Sequence, residues 1–344
     1  MNEIRTIEPF IRLGERLAEE LLDGTIEPVI RRSEAENPWF SRANVVSAIQ
    51  AVCADMLDGR NLRSWLARYP AAGRPSDETI GIVMAGNIPL VGFFDLLCVL
   101  ICDRRCLIKP SSKDRVLIGH IVDLLREIEP RFSIGALEGQ TPDRLIAAGS
   151  DEAHRHFASA YPDTPSLLRG HRYSVAVLSG QESDRQLDGL YDDVFSYFGL
   201  GCRNVSRIFV PRGYDLQSLC RRLSARPITH TGYLNNYRQA RAMRLLSGTE
   251  FIDGGFFLMR PGADGEGPLS EIACTFYESV GSVERLLRER DREIQCVVSA
   301  TLDHPRRVDF GQAQHPSLTD YPDGIDVMEF LLAGSPAPAD RRQL

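Results

Sequence analysis

The chain has 344 residues, of which 43% are hydrophobic and 25% charged, and its formal net charge is −7. That length exceeds what one hydrophobic core usually serves, so two domains are expected, and the composition carries no signature of disorder. The acidic balance excludes a general nucleic-acid binder, because no domain-wide basic surplus exists to neutralise phosphates; a local basic pocket for a phosphorylated ligand remains compatible with it.

The first stretch, "MNEIRTIEPFIRLGERLAEELL", mixes charges with apolar residues at helical spacing and lacks the uninterrupted apolar core of a signal peptide. Residues 1–70 read as helices: Asn37-Pro38 is a start signal, and Val45, Ile49, Val52 and Met56 form an apolar stripe. The longest apolar stretch, Ile88 to Cys102, is interrupted by Asp95 and is too short to span a bilayer. A soluble, cytoplasmic protein is the expectation. The eight cysteines (53, 98, 102, 106, 202, 220, 274 and 296) form no dense framework and read as reduced thiols.

From residue 79 short apolar runs alternate with amphipathic ones. "TIGIVMAG", "RCLIKPS", "DRLIAAGS" and "YSVAVLSG" read as buried strands, the first, third and fourth closing on glycine or Gly-Ser. "VGFFDLLCVLI", "KDRVLIGHIVDLLREIE" and "DEAHRHFASAY" read as the helices among them. This alternation predicts parallel βαβ units and a doubly wound sheet. Ligands of such sheets lie beyond the carboxyl ends of the strands, which directs attention to "AGNIP", "KPSS" and "GSDEA". A second region begins near residue 181. There "DRQLDGLYDDVFSYFGLG" reads as a helix stopped by glycine, followed by Cys202 and the strand "SRIFVP". Further on come the helix "NNYRQARAMRLLSG", the strand "GGFFLM", the run "EIACTFYES", the helix "VERLLRERDREI" and the strand "QCVVSAT".

No GxGxxG follows a strand and no GxxxxGK[ST] occurs, so the standard dinucleotide and P-loop fingerprints are absent. Cys202 follows Gly199-Leu200-Gly201 and precedes Arg203. Glycines let the backbone turn sharply there, and a nearby cation would favour the reactive thiolate; a helix-capping, half-buried packing cysteine is the competing reading. Asn87, between a strand-end glycine and Ile88-Pro89, is either an oxyanion donor or a turn residue. Lys109 and Ser111 suit a ribose or a phosphate, or a solvated strand end with a helix cap. Gly149-Ser150 offers close backbone approach to a pyrophosphate, or an N-cap. Cys98, Cys102 and Cys106 lack a histidine set and read as packing residues rather than zinc ligands. Asn204-Val205-Ser206 fits the glycosylation pattern, which carries no meaning in a cytoplasmic protein.

Together these stretches resemble the aldehyde dehydrogenase superfamily, and within it the fatty acyl-CoA reductase branch, which includes the bacterial luminescence acyl reductase subunit. "GIVMAGNIP" resembles the family strand whose asparagine, here Asn87, serves the oxyanion hole. "LIKPSS" resembles the segment whose lysine, here Lys109, contacts the adenosine ribose, and "AAGSDEA" the Gly-Ser stretch beneath the cofactor, here Gly149 and Ser150. "GLGCRNVSRIFVP" resembles the segment of the nucleophilic cysteine, Cys202; "LSEIACTFYE" is similar to the run whose glutamate, here Glu271, contacts the nicotinamide ribose. "FGQAQHPSLTDYPDGID" resembles the C-terminal segment of the reductase branch. The likeness covers residues 79–330, and several motifs agree in order and spacing.

The resemblance implies an α/β fold: a doubly wound parallel-sheet cofactor domain plus a second α/β catalytic domain. It places an N-terminal helical segment at 1–70, packed on a nicotinamide-binding domain at 71–180. A catalytic domain follows at 181–310, and residues 311–344 return toward the cofactor domain or a subunit interface. The implied activity is reduction of an acyl-CoA to an aldehyde with NADPH or NADH, through a Cys202 acyl-enzyme; the alternatives are NAD(P)-dependent aldehyde oxidation or a non-catalytic acyl-binding subunit. Coenzyme A is then part of the substrate, and an acyl-activating partner enzyme and homo-oligomerisation are implied as well. Lys109, Lys113 and Arg115 lean toward the phosphorylated cofactor. One departure bears on the choice: the glutamate of the hydrolytic members' Glu-Leu-Gly-Gly is missing from "RGHRYSVAVLSG". A thioester exchange needs no activated water.

Overall fold

Alternating apolar and amphipathic runs become parallel sheets flanked by helices, as the pattern from residue 79 requires. The structure, a computed structural model, describes residues 2–74, 76–149, 151–263 and 267–333. It divides into two units: residues 1–36, 45–170 and 325–344 in one, and 37–44 and 171–324 in the other. The divide falls after Gly170, ahead of the boundary expected at 180. The strand Tyr173–Val177 therefore belongs to the second unit, where it has a parallel partner on each side.

The first unit contains helices α1 (Asn2–Asp23), α2 (Glu27–Glu36), most of α3 (Arg42–Ala51) and α4 (Gly59–Leu66). Its five parallel strands are β1 (Thr79–Val83), β2 (Arg105–Lys109), β3 (Ile134–Ala136), β4 (Arg144–Ala148) and β5 (Ser166–Arg169), in the order β3-β2-β1-β4-β5. Three helices connect them: α5 (Phe93–Ile101), α6 (Arg115–Ile128) and α7 (Asp151–Ala160). The chain works outward from β1 to β3, then crosses back to β4 on the other side of β1. The carboxyl ends of β1 and β4 therefore flank a topological switch point, where connecting loops diverge and leave room for a ligand. On α1, Ile7, Phe10, Leu13 and Leu17 are buried at helical spacing.

Every residue of α5 is buried, including Asp95 in its first turn. That charge is tolerated because Arg169, at the end of β5, holds it through two parallel hydrogen bonds of 2.8 Å each. Helix α12 (Val327–Leu332) returns to this unit, where Arg144 donates to the carbonyls of Phe330 and Ala333 and pairs with Glu78 at 2.7 Å.

The second unit has a seven-stranded sheet in the order β12-β11-β6-β7-β10-β9-β8. Its strands are β6 (Tyr173–Val177), β7 (Val205–Pro211), β8 (Ile252–Asp253), β9 (Leu258–Pro261), β10 (Glu271–Tyr277), β11 (Ile294–Val298) and β12 (Arg307–Val308). Only the β8–β9 pair is antiparallel. The helices are α8 (Asp184–Phe195), opened by a Ser183/Gln186 capping box, α9 (Leu216–Leu223), α10 (Thr231–Ser247) and α11 (Val280–Glu289). The expected strand "GGFFLM" begins only at Leu258. Gly255 takes φ 82°, so the glycine pair makes a turn and sends Phe256 and Phe257 into the core. No helix among the described residues is long and apolar enough to cross a membrane.

Replacing Arg169 by Met strands the buried Asp95 carboxylate. We expect a loss of about 3–5 kcal/mol in urea unfolding; a loss below about 1 kcal/mol, the range of an exposed pair, would contradict the assigned burial.

Candidate active site

The expected site residues fall into two groups, one in each unit. In the first unit the register sets Val83 level with Lys109 on one side and Ala147 on the other, so three strands end together. Asn87 is exposed on the loop after β1. Lys109 closes β2, with its ammonium 5.2 Å from the centre of the Phe157 ring. The Ser111 hydroxyl accepts the Lys113 N–H at 3.3 Å. Gly86 must be glycine here, because a Cβ would lie 2.5 Å from both Cβ and Oγ of Ser111. Gly149 follows β4 and donates its N–H to the Arg169 carbonyl at 3.3 Å. Asn87, Lys109, Ser111 and Gly149 thus share one sheet edge; Ser150 lies outside the described residues. Arg115 is engaged by Glu36 at 2.7 Å.

Asp114 joins the two loops at this edge. It is 1% exposed and accepts the N–H of Leu90, whose φ of 59° is left-handed, at 2.8 Å. Its other oxygen has no hydrogen-bond partner among the described residues. Burial pushes the carboxyl up to about 8 against the pull of the Leu90 N–H. A folded-state pKa above the unfolded one favours the native state at low pH, and that contribution is lost as pH rises from about 4 through about 8. Asp114→Asn should therefore gain stability relative to the unaltered chain between about pH 5 and pH 9 in urea titrations. The reverse trend would show that Asp114 is ionised in the fold.

In the second unit Cys202 lies on a turn built under strain. Tyr197 and Phe198 adopt φ 52° and 59°, and Gly199 follows at 74°. Left-handed backbone at two non-glycine residues costs roughly 1–2 kcal/mol each. Phe198 stacks on His230 at 4.4 Å and meets Trp39 edge-on at 5.9 Å. His230 accepts the Tyr233 N–H on Nδ1, which leaves Nε2–H to donate to the Pro38 carbonyl at 3.0 Å. Asn204, 4% exposed, clamps the turn. Its amide nitrogen donates to the carbonyls of Asp193, Val194 and Ser196 at 3.2, 3.2 and 2.9 Å, and its oxygen accepts the Gly201 N–H at 2.8 Å. The asparagine of the glycosylation-like triplet is thus a buried brace. Ser174 completes it by donating to the Cys202 carbonyl at 2.9 Å.

Cys202 is exposed, whereas Cys98, Cys102, Cys106, Cys220, Cys274 and Cys296 are buried. The thiol is nonetheless pushed up to about 11, chiefly by desolvation. Exposure decides whether a reagent reaches the residue, while the protein mass around the sulfur decides its protonation. Arg203 and the backbone N–H of Cys202 pull the value down; Asp323 and Cys296 raise it. Glu271 starts β10 beside the start of β7, and its carboxylate is already held by Arg244 at 2.9 and 2.9 Å and by Arg260 at 2.6 Å.

No family model and no curated protein matches the sequence. Solved structures do match. An aldehyde dehydrogenase of Mycobacterium tuberculosis, complexed with NAD+, superposes with a TM-score of 0.65 at 13% identity, over 88% of this chain and 74% of the other. An NAD-dependent aldehyde dehydrogenase of Sinorhizobium meliloti gives 0.64 at 12% identity, over 88% and 71%. Aldehyde dehydrogenase C of Pseudomonas syringae, a cysteine-to-alanine variant complexed with NAD+ and octanal, gives 0.62 at 12%, over 89% and 78%. The chain has the aldehyde dehydrogenase fold. The expected pair of α/β units is therefore found. Within that fold, sequence reasoning missed Asn204 and Asp114: the first showed only as the start of a glycosylation-like triplet, and nothing marked the second.

Proposed function

We propose that the protein reduces an acyl-CoA, a fatty acyl-CoA foremost, to the aldehyde with NADPH or NADH, through an acyl-enzyme on Cys202. The observation that carries this reading is the Cys202 turn: an exposed cysteine on a strained backbone held by a buried amide. Such strain is stored where geometry serves chemistry. The Cys202 thiolate attacks the thioester carbonyl carbon, the carbonyl electron pair moves to oxygen, and collapse breaks the bond to coenzyme A. Coenzyme A departs as a thiolate, so no water needs a base. Arg203 and the Cys202 N–H favour the thiolate against the desolvation that opposes it. The Asn87 amide and the Cys202 N–H are the proposed oxyanion donors.

The residues at the first unit's sheet edge fit a dinucleotide: an exposed ammonium, a hydroxyl and a glycine at a switch point suit ribose hydroxyls and phosphates. Lys109, Ser111, Gly149 and Ser150 would hold it, with Glu271 reaching a ribose only through a carboxylate it already shares with two guanidiniums. When bound, the nicotinamide supplies the hydride that turns the acyl group into the aldehyde. An acyl-activating partner and self-association belong to the same proposal. The second reading is NAD(P)-dependent aldehyde oxidation, favoured by the names of the matched structures, one of which holds NAD+ and octanal.

Consumption of NADPH and of NADH against acyl-CoAs of graded chain length, with the product identified, tests the reading. Cys202→Ala should bring acyl-CoA reduction to background, and persistence of turnover in that variant overturns the assignment. Asn87→Ala should lower kcat by about 10²–10³ while leaving it measurable; an unchanged kcat removes Asn87 from the mechanism. Faster aldehyde oxidation without coenzyme A than acyl-CoA reduction would decide for the second reading.

A further inference from the structure

A buried carboxylate with no part in the chemistry lies one contact from the cysteine turn. Asp193, in the last turn of α8, is 1% exposed. Its Oδ2 accepts the N–H of Gly311 at 2.7 Å and its Oδ1 that of Ala313 at 2.9 Å. The 311–313 segment is also seated on the backbone of α8: a Cβ on Gly189 would lie 2.7 Å from the Gly311 nitrogen, and Gly311 itself has φ 79°. From the other direction Arg203 donates its Nε–H to the Ala313 carbonyl. The Arg203 Nη2 is buried with no hydrogen-bond partner among the described residues, and the guanidinium charge acts on both Asp193 and Cys202.

We propose that Asp193 is a positioning residue for the nucleophile: through the Gly311–Ala313 backbone it holds the Arg203 guanidinium next to Cys202, where positive charge favours the thiolate. One element, the segment 311–313, is gripped by a carboxylate through its N–H groups and grips a guanidinium through its carbonyl. Loosening the first contact frees the second. The ionisable groups facing Cys202 are Arg203, Asp323 and Cys296; those facing Asp193 are Asp192 on its own helix, Arg203 from the turn and Cys296 on β11. Burial raises Asp193 to about 6 while the two backbone N–H groups and Arg203 hold it down, so it is ionised through the range in which the thiol titrates.

This inference rests on Cys202 being the nucleophile, but its test does not. Iodoacetamide alkylation of the full chain, read by mass spectrometry at the Cys202 peptide from about pH 8 to about pH 12, a range that brackets the value of about 11, gives the apparent pKa of that thiol. Asp193→Asn keeps one acceptor and loses the other; it should raise the apparent pKa and slow alkylation at fixed pH by about 3–10-fold. Arg203→Gln should do the same, and the double variant should be no slower than Arg203→Gln alone, because both changes remove one interaction. A variant that is merely less stable would leave the pH profile in place. An unshifted profile in Asp193→Asn, or effects of the two substitutions that multiply, overturns the proposal. If Asp193→Asn fails to fold by circular dichroism, Arg203→Gln decides: a raised profile supports the proposal and an unchanged one overturns it. A chain that alkylates as described yet never reduces an acyl-CoA would sink the functional reading and leave the positioning role standing.

Discussion

An α-helix ends in carbonyls that nothing inside it can satisfy, and at the end of α8 a single side-chain amide, that of Asn204, meets three of them. The same side chain takes the Gly201 N–H, so helix end and cysteine turn are fastened by one residue. Without that brace, two aromatic residues in left-handed conformation would have little reason to stay there. The stacking of Phe198 on His230, and the tilted contact of His230 with Trp39 at 4.8 Å, add a second hold on the outer side. Geometry at Cys202 is thus imposed by its neighbours and not chosen by its own backbone preference.

Electrostatics at the thiol are a contest of unequal terms. Desolvation wins in the resting chain and keeps the proton on sulfur, with Arg203 and the local N–H opposing. A protonated thiol is a poor nucleophile, so the proposed acylation calls for bound substrate to shift this balance toward the thiolate. The first unit shows the same economy in charge placement. Asp95 is buried but doubly bonded to Arg169, whereas Asp114 has a lone backbone donor and keeps its proton.

Much of this organisation was legible in the sequence, for identifiable reasons. β1, β2, β4, β6 and β7 stand out because strands covered on both faces read as continuous apolar runs. The rule that ligands lie beyond strand ends located Asn87, Lys109 and Gly149 on one edge. β3 and β5, three and four residues long, were too short to show a pattern. Tyr197 and Phe198 read as the continuation of a helix, since two aromatics carry no mark of left-handed backbone. Burial of Asp114 and Asp193 is a property of packing between distant segments, which a residue's own letter does not disclose. Asn204 was visible only as part of a surface-modification pattern that its burial contradicts.

The central claim is that the sulfur of Cys202 becomes acylated. The direct measurement mixes the full chain with a long-chain acyl-CoA in the absence of any nicotinamide, quenches in acid, and weighs the proteolytic fragments. The account predicts the mass of one acyl group on the fragment containing Cys202, with free coenzyme A released to match. An unmodified Cys202, or an acyl group carried by a different cysteine, would contradict it.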